Sequence, residues 1–282
     1  MSDQVEVEQE LARAADSVGI PACPRILLDL SAETRKADPD FKKIEALVAR
    51  DTGLLATLFK TVNSPFYGLR SKISTVRQAL QILGVSMLSR TVTGIVLKNT
   101  LAGKSQADME QFWESSAKTA MVAAYIAKQI PGMSKDEAYT YGMFQNCGVP
   151  ILLQRFPEYR NTLGVAGGSA ERKYTDIEDE AHGTDHATMG YLLTRSWNLP
   201  DELSQAIRYH HEYPMLSDPQ SRMTLPSKNL LAIGLVAEHA LHARAGADSP
   251  EWAKGGQYAL AHLGLAADEL DEIVEDVALM LG

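Results

Sequence analysis

Cysteine and positive charge are both scarce in this sequence. Two cysteines, Cys23 and Cys147, stand far apart and form no Cys-x-x-Cys pair. A disulfide framework and a thiolate zinc site are therefore excluded as the principle that organises the fold. The same cysteine usage is typical of a reducing compartment, so we expect a cytoplasmic protein.

The charge balance is acidic, with 27 Lys and Arg against 36 Asp and Glu and a formal net charge of -9 at pH 7. A surface that binds nucleic acid or anionic lipid normally carries an excess of Lys and Arg. The N-terminal stretch MSDQVEVEQE lacks the apolar core of a signal peptide. No run approaches the roughly 20 apolar residues of a membrane span. We therefore expect neither a nucleic-acid partner nor a membrane.

Helical periodicity dominates what the sequence does contain. Apolar residues recur on one face at helical spacing within residues 40–50 and 53–63. Helix-start patterns recur as well, at Thr75–Gln78, Ser134–Glu137 and Ser249–Pro250. Convincing alternation with a period of two residues is missing, and so is a strand followed by a glycine-rich loop and a helix. The sequence therefore predicts an all-α protein.

Histidines occupy inward positions of two predicted helices. His186 lies on the apolar face of residues 184–197, and His210 and His211 end the helix predicted over 200–211. Buried polar groups need partners, so these rings can satisfy one another, hold water, or bind a metal or ligand. Imidazole is a common metal ligand, whereas a single inward histidine is usually a satisfied core residue. Spacing alone leaves these alternatives open.

A polar pair interrupts an apolar stretch, YGMFQNCGVPIL. Gln145 and Asn146 lie in the middle of a helix predicted over residues 136–153, where Gln145 shares the inward face with Tyr141 and Val149. The pair is therefore expected on or beside a buried face, where it also needs hydrogen-bonding partners.

Four segments carry a recognisable set of motifs. They are IPACPRILLDL, IEALVARDTGLLATLFKTVNSPFYG with Asn63-Ser64, ISTVRQALQILGVSML with Gly84, and EDEAHGTDHATMGYLLTRSWNLPDELSQAIRYHH with Glu178, His186 and His210-His211. In this order, over residues 18–245, they resemble the HDOD family, a relative of the HD-domain metal-dependent phosphohydrolases. The number and order of the motifs make the resemblance specific.

The resemblance implies an HD-like helical bundle preceded by an N-terminal subdomain of short helices. On this basis we assign residues 1–17 to an N-terminal helical extension and residues 18–103 to the N-terminal HDOD subdomain. Residues 104–282 form the HD-like subdomain with closing C-terminal helices. The boundary is placed in the polar stretch GKSQAD at residues 103–108.

The positions that hold metal in catalytic HD relatives are altered here. The resemblance matches their first His to Ser115 or Ser116, their His-Asp pair to Gln145-Asn146, and their later Asp to Glu238. The carboxamide of Asn keeps the shape of a carboxylate without its charge, and an amide replaces imidazole poorly as a metal ligand. Activated water needs both the metal and an orienting acid or base. We therefore predict that hydrolysis by the HD mechanism is lost and that the protein is not an enzyme.

What the resemblance implies is a relic pocket. The ligand-binding candidates in it are Ser115, Gln145, Asn146, His186, His210, His211 and Glu238. No metal and no cofactor are expected, and His186, His210 and His211 are only weak candidates for a metal. A small molecule held between apolar walls and inward amides is the alternative occupant.

HDOD proteins resemble output or adaptor modules of bacterial signal transduction. The resemblance therefore implies a non-catalytic signalling or regulatory protein that acts through protein–protein or small-ligand binding. Its expected partners are signalling proteins: a kinase, a response regulator or a cyclic-dinucleotide enzyme. The alternative is a residual metal-dependent phosphohydrolase acting on a nucleotide or cyclic dinucleotide, which the retained histidines motivate. The oligomeric state is left open.

Overall fold

The structure is a computed structural model that describes residues 19–64, 67, 69, 72–102 and 106–281. The extension predicted for residues 1–17 lies outside the described residues. Within the described ranges the regular secondary structure is helical and no strand occurs, which confirms the all-α prediction.

The helices follow one another with short connections. They are α1 (Arg25–Thr34), α2 (Phe41–Ala49), α3 (Thr52–Val62), α4 (Val76–Leu101), α5 (Gln106–Gln129), α6 (Lys135–Phe144), α7 (Gly148–Arg155), α8 (Tyr159–Gly168), α9 (Tyr174–His182), α10 (His186–Ser196), α11 (Asp201–Arg208), α12 (Leu225–Arg244), α13 (Pro250–Leu263) and α14 (Ala267–Leu281). A 3-10 turn, Tyr213–Leu216, lies between α11 and α12.

The chain forms two compact units. Among the described residues, the smaller comprises those within 23–102 and 278–281, and the larger comprises 19–22 and 106–277. In the smaller unit, Asp40 caps α2 and Asp51 caps α3, because each carboxylate accepts hydrogen bonds from the first-turn N–H groups. Thr75–Gln78 forms the capping box predicted for α4. Apolar residues of α1 to α4 fill the core, among them Leu30, Ile44, Leu58 and Leu88.

One carboxylate is buried in this smaller unit. Glu33 is 1% exposed and forms ion pairs of 2.8 Å with both Lys36 and Lys43. It also accepts a hydrogen bond of 3.1 Å from the backbone N–H of Asp40. The hydrogen bonds from Lys36 and Lys43 hold the pKa of Glu33 at about 2. The carboxylate thereby ties α1 to the start of α2.

Helix α4 is long and contains a break. Gly84 has φ of 75°, in the left-handed region that favours glycine, so the two halves of α4 meet at a kink. In the described part of the chain, α4 is also long and apolar enough to cross a membrane by length and composition alone, and half of its apolar window is buried. Helix α4 is nevertheless not an uninterrupted apolar run, because it contains Arg77, Arg90 and Lys98. A buried core helix meets the same criteria.

The larger unit is a helical bundle around α12. This helix packs against α5, α6, α11 and α13. Its central residues are buried, including Leu231, Ile233 and Val236. Helices α5 and α6 approach closely because Gly142 faces the α5 backbone: a Cβ at position 142 would lie 2.7 Å from the Cα of Ala120. The small residues of α5 therefore serve close helix packing, as their spacing suggests.

The stretch predicted as one helix over residues 136–153 is two helices. Helix α6 ends at Phe144, and α7 begins at Gly148 after a turn that contains Gln145 and Asn146. A Cβ at position 148 would lie 2.0 Å from the carbonyl oxygen of His186, so only glycine allows this approach of α7 to α10. The polar pair therefore lies in the turn between α6 and α7 and not in the middle of a helix.

Two closing helices follow α12, as expected. Ser249 caps α13 by accepting a hydrogen bond from Trp252, with Pro250 at the first helical position, which confirms the predicted helix start. In α14 the apolar face buries Leu270 and Ile273. Helix α13 packs against α12 and against the 3-10 turn, and this contact brings its first turn close to the histidines described below.

Candidate functional site

Three buried histidines converge in the larger unit. His186 begins α10, and His210 and His211 follow the end of α11. The Nε2 atom of His186 lies 3.0 Å from Nε2 of His210 and 3.2 Å from Nε2 of His211. One ligand nitrogen from each ring lies within 4.8 Å of the other two. These three residues are called the histidine cluster.

Local structure explains why the rings meet. Asp185 caps α10 by accepting a hydrogen bond of 2.7 Å from the backbone N–H of Thr188, which fixes the helix start at His186. Helix α11 ends at Arg208, so the tandem histidines lie in a turn and not in the helix predicted over 200–211. Consecutive side chains of a helix point about 100° apart. The turn instead allows both rings to approach the same point.

In each ring, Nδ1 is the outer nitrogen, the one that does not face the other histidines. It donates a hydrogen bond to an oxygen that can only accept. The three Nδ1 contacts are 2.7 Å long and go from His186 to the Glu178 carboxylate, from His210 to the Ile207 carbonyl, and from His211 to the Glu251 carboxylate. A neutral imidazole carries one N–H and one lone pair. Because each Nδ1 carries the hydrogen, the Nε2 lone pairs of the neutral rings point at one another.

Converging lone pairs repel unless a cation, either a proton or a metal ion, lies among them. Burial opposes protonation of His186, but the Glu178 carboxylate outweighs it and raises the pKa of His186. Burial and the charges of the other rings lower the pKa of His210 well below its usual range. Burial also lowers the pKa of His211, against the opposing hydrogen bond with Glu251. A protonated His186 flanked by two neutral acceptors is the arrangement these directions favour.

A divalent first-row metal suits the same donor set. Three imidazole nitrogens are a common ligand set for zinc and its neighbours. In metal sites the other ring nitrogen usually donates to a carboxylate or a backbone carbonyl, which fixes the tautomer. All three rings of the histidine cluster meet this condition. The geometry therefore favours a metal more strongly than the sequence did.

Glu178 supports His186 from the buried side. It is 0% exposed and accepts hydrogen bonds from the Tyr159 hydroxyl and, at 3.1 Å, from the backbone N–H of His186. Burial alone would raise the pKa of Glu178, but the charge of His186 and these hydrogen bonds lower it below its usual value. The carboxylate therefore stays ionised and orients the His186 ring.

Glu251 supports His211 from the first turn of α13. Its carboxylate also accepts hydrogen bonds from the Tyr213 hydroxyl and, at 2.5 Å, from the Lys254 ammonium. Burial alone would raise the pKa of Glu251, but its hydrogen bonds with His211, Lys254 and Tyr213 hold it at about 2. Sequence reasoning did not select Glu251, because an acidic residue in the first turn of a helix is ordinary and carries no site signal.

A second polar group lies beside the turn between α6 and α7. Gln145 and Asn146 both donate side-chain amide hydrogens to the same oxygen of Glu238, and the Asn146 bond is 3.2 Å long. Burial raises the pKa of Glu238 to about 7, although Asn146 and the charges of His242 and His186 oppose the shift. Gln145, Asn146 and Glu238, which the resemblance selected separately, are called the amide cluster.

Ser115, also selected by the resemblance, is exposed on α5. The neighbouring Ser116 is buried and donates a hydrogen bond of 3.0 Å to the carbonyl of Phe112. Among the described contacts, neither serine bonds to a histidine of the cluster. Six of the seven predicted residues thus lie in the two polar clusters, and Ser115 is exposed.

An aromatic ring covers the histidine cluster. The Tyr174 ring stacks on His211 with centroids 5.0 Å apart and an interplanar angle of 19°. It also meets His186 edge-on, with centroids 5.2 Å apart. Tyr174 begins α9, directly after the loop that connects it to α8. This side of the cluster is therefore closed by an apolar face.

Comparison with known proteins agrees with the fold and the motifs. The HDOD domain model matches residues 20–213. A protein from Treponema pallidum (strain Nichols), described as uncharacterised, is 25% identical over 218 residues, which are 74% of this chain and 42% of that protein. The chain thus spans less than half the length of this relative.

Solved structures share the fold at low identity. A provisionally assigned phosphohydrolase from Shewanella amazonensis SB2B has a TM-score of 0.73 at 22% identity, covering 96% of this chain and 93% of that one. An HDOD domain protein of unknown function from Geobacter sulfurreducens has a TM-score of 0.72 at 20% identity, covering 98% and 95%. A provisionally assigned signal transduction protein from Marinobacter aquaeolei VT8 has a TM-score of 0.71 at 20% identity, covering 99% and 64%.

The helical bundle and its inward histidines define a protein with an HD-related, phosphohydrolase-like fold. Within that class, the match of the HDOD domain model to residues 20–213 identifies the family. The chain belongs to the HDOD family.

Proposed function

We propose that this chain is a non-catalytic signalling or regulatory protein whose buried polar clusters stabilise a binding-competent fold and turn over no substrate. The amide cluster carries this proposal. Gln145 and Asn146 donate to Glu238, so the groups that meet this carboxylate are neutral amides. Neutral donors supply no positive charge to polarise a phosphate or to lower the pKa of a bound water.

The histidine cluster contributes a different property, which is the capacity for one divalent metal ion. His186, His210 and His211 would hold it, while Glu178 and Glu251 keep the tautomers that present the Nε2 lone pairs. A bound ion would supply positive charge and would join α10 to the turn after α11. A site of this kind links two elements and stabilises the fold by the free energy of metal binding.

The proposed partners are signalling proteins: a kinase, a response regulator or a cyclic-dinucleotide enzyme. Family membership supports this class, and so does the description of the Marinobacter aquaeolei VT8 structure as a provisionally assigned signal transduction protein. The acidic balance of the chain, with a net charge of -9, favours partners with a basic docking face.

The test of the non-catalytic proposal is an activity assay with a matched variant. The purified chain, loaded with Mn²⁺, Fe²⁺ or Ni²⁺, is incubated with bis(p-nitrophenyl) phosphate, nucleotides and cyclic dinucleotides. The His186→Ala/His210→Ala variant, prepared identically, gives the background. We expect equal rates for the two proteins. Saturable turnover that the double variant lacks would establish the alternative, a residual metal-dependent phosphohydrolase, which the retained histidine cluster favours.

The partner proposal has its own test. The tagged full chain is mixed with purified sensor kinases, response regulators and cyclic-dinucleotide enzymes of the same bacterium, and binding is measured by interferometry. We expect a complex with at least one member of these classes, at micromolar or tighter affinity. Absence of binding across all three classes would overturn the proposed partners and leave the activity assay unaffected.

A further inference from the structure

We infer that the first turn of α13 positions the histidine cluster: Glu251 fixes the orientation and tautomer of His211, and Lys254 couples Glu251 to the loop between α8 and α9. Helix α13 lies beyond residues 20–213, which the HDOD domain model matches. The support of His211 is therefore a feature of this chain outside the matched domain. The metal-related part of the inference rests on the proposed metal site, and the part that concerns the tautomer does not.

The first step is the contact between Glu251 and His211. The carboxylate oxygen Oε2 lies 2.7 Å from Nδ1 of His211, and the Tyr213 hydroxyl donates to the same oxygen. A carboxylate accepts and cannot donate, so Nδ1 of His211 carries the hydrogen and Nε2 presents its lone pair toward His186. Without Glu251, the ring loses the partner that selects this tautomer.

The second step is the double role of Lys254. Its ammonium contacts the other oxygen of Glu251 at 2.5 Å and donates at 2.8 Å to the backbone carbonyl of Arg172. Arg172 belongs to the loop between α8 and α9, two residues before Tyr174. Lys254 therefore joins the carboxylate behind His211 to the loop that carries the covering ring.

The third step is the contact between the loop that joins α8 to α9 and the ring face of His211. Tyr174 stacks on the His211 ring, whose opposite nitrogen faces His186. The neighbouring Lys173 forms ion pairs of 2.9 Å with Asp176 and 2.7 Å with Glu212, the residue after His211. One connected set of contacts thus holds His211 at Nδ1, at its ring face and through the side chain of the adjacent Glu212. A movement of α13 or of this loop would change the presentation of one ligand nitrogen.

The experiment measures the tautomer of His211 and the metal affinity of the chain separately. The ¹⁵N chemical shifts of His211 are measured in the metal-free chain, and Co²⁺ and Zn²⁺ affinities are measured by titration, with the Co²⁺ absorption spectrum as a report of the ligand field. The variants are Glu251→Ala, the isosteric Glu251→Gln and Lys254→Met. Glu275→Ala, which removes an exposed carboxylate of α14, is the matched control.

We expect the wild-type chain to show His211 as the Nδ1–H tautomer, and Glu251→Ala to show a mixture. Loss of an outer-shell partner typically weakens metal binding about 10- to 100-fold, which is the range expected for Glu251→Ala. Glu251→Gln should fall between it and the wild type, because its amide oxygen still accepts a hydrogen bond. Lys254→Met should have a smaller effect, and Glu275→Ala none. Circular dichroism and thermal unfolding establish that each variant is folded.

Two outcomes overturn the inference. One is an unchanged His211 tautomer in both Glu251 variants, which decides the question even if the wild-type chain binds no metal. The other is wild-type metal affinity in folded Glu251→Ala. A wild-type chain that binds neither Co²⁺ nor Zn²⁺ would overturn the proposed metal site and, with it, the metal-related part only.

Discussion

The histidine cluster and the amide cluster lie in the same helical unit but differ in how their polar atoms are satisfied. In the histidine cluster, three acceptor lone pairs face one another and require a cation. In the amide cluster, two donors already meet one carboxylate oxygen. One helical unit therefore holds a cluster whose acceptors need a cation beside a cluster whose carboxylate oxygen is met by neutral donors.

The pKa values of the carboxylates shift in opposite directions in the two clusters, although burial raises the pKa in both. Glu178 and Glu251 are buried with histidine or lysine partners, and their pKa values are lowered in spite of burial. Glu238 has amides as its partners, and its pKa rises to about 7. A neutral hydrogen-bond donor compensates a buried carboxylate less than a positive charge does.

The largest effect is expected from His186→Ala. This variant removes the ring that both other histidines face and leaves Glu178 as a buried carboxylate without its cationic partner. Breaking a buried ion pair in this way costs about 3–5 kcal/mol, so we expect a large fall in the free energy of unfolding, measured by urea denaturation. Metal binding should fall by more than about 100-fold, since a first-shell ligand matters more than an outer-shell partner.

The control for this variant is His242→Ala. His242 is exposed on α12, its ring bonds to the Glu238 backbone carbonyl and its charge lowers the pKa of Glu238, and among the described contacts it does not touch the histidine cluster. It should keep both the stability and the metal affinity of the wild type within a small margin. Equal stability of the two alanine variants would contradict the ion pair of His186 with Glu178.

Much of this arrangement could be predicted from the sequence. The features that could not be predicted have physical explanations. The inward positions of His186 and of Gln145 follow from helical periodicity, and the motif order identified the family. The tandem His210-His211 was assigned to a helix because nothing in the residues after Arg208 marks its end. The break of α6 was missed because apolar residues continue through it, and only the contact of Gly148 with His186 makes the reason visible.

Contacts between distant segments lie beyond such reasoning. Glu251 follows His211 by 40 positions, and no local pattern connects an acidic residue in a first helical turn to a histidine so far away. Glu178 was available as a motif residue, but its role required the distance to His186. Local periodicity gives the face of a helix, whereas tertiary packing decides which faces meet.

A smaller effect is expected from Gly148→Ala, which tests how closely α7 must approach the histidine cluster. The added Cβ would lie 2.0 Å from the His186 carbonyl oxygen, so backbone must shift. Overpacking of this kind costs about 1–3 kcal/mol. Chemical denaturation measures the loss, and Co²⁺ titration reports whether the shift of His186 weakens the site.

The matched substitution is Gly164→Ala in α8, where a Cβ meets nothing within 4 Å. Replacing a helical glycine in open space should stabilise the protein by about 0.5–1 kcal/mol. We therefore expect Gly148→Ala and Gly164→Ala to change the free energy of unfolding in opposite directions. The same sign for both would show that the α7–α10 contact is looser than 2.0 Å implies.

A third effect concerns the amide cluster and depends on pH. The folded-state pKa of Glu238 is raised to about 7 from an ordinary value of 4.5, so the folded chain holds this proton more tightly than the unfolded chain. Ionisation therefore removes stability as pH rises from about 4.5 to about 7, and the loss is complete above that range.

Glu238→Gln cannot ionise and keeps an oxygen to accept from Gln145 and Asn146. It should match the wild type at pH 4 and exceed its free energy of unfolding by about 1–2 kcal/mol at pH 8, after allowance for solvent screening and weaker neutral hydrogen bonds. Glu275→Gln, at an exposed position, should show no such pH dependence. A Glu238→Gln variant that is less stable than the wild type at pH 8 would mean that the carboxylate meets a positive charge there, and the contrast between the two clusters would then fail.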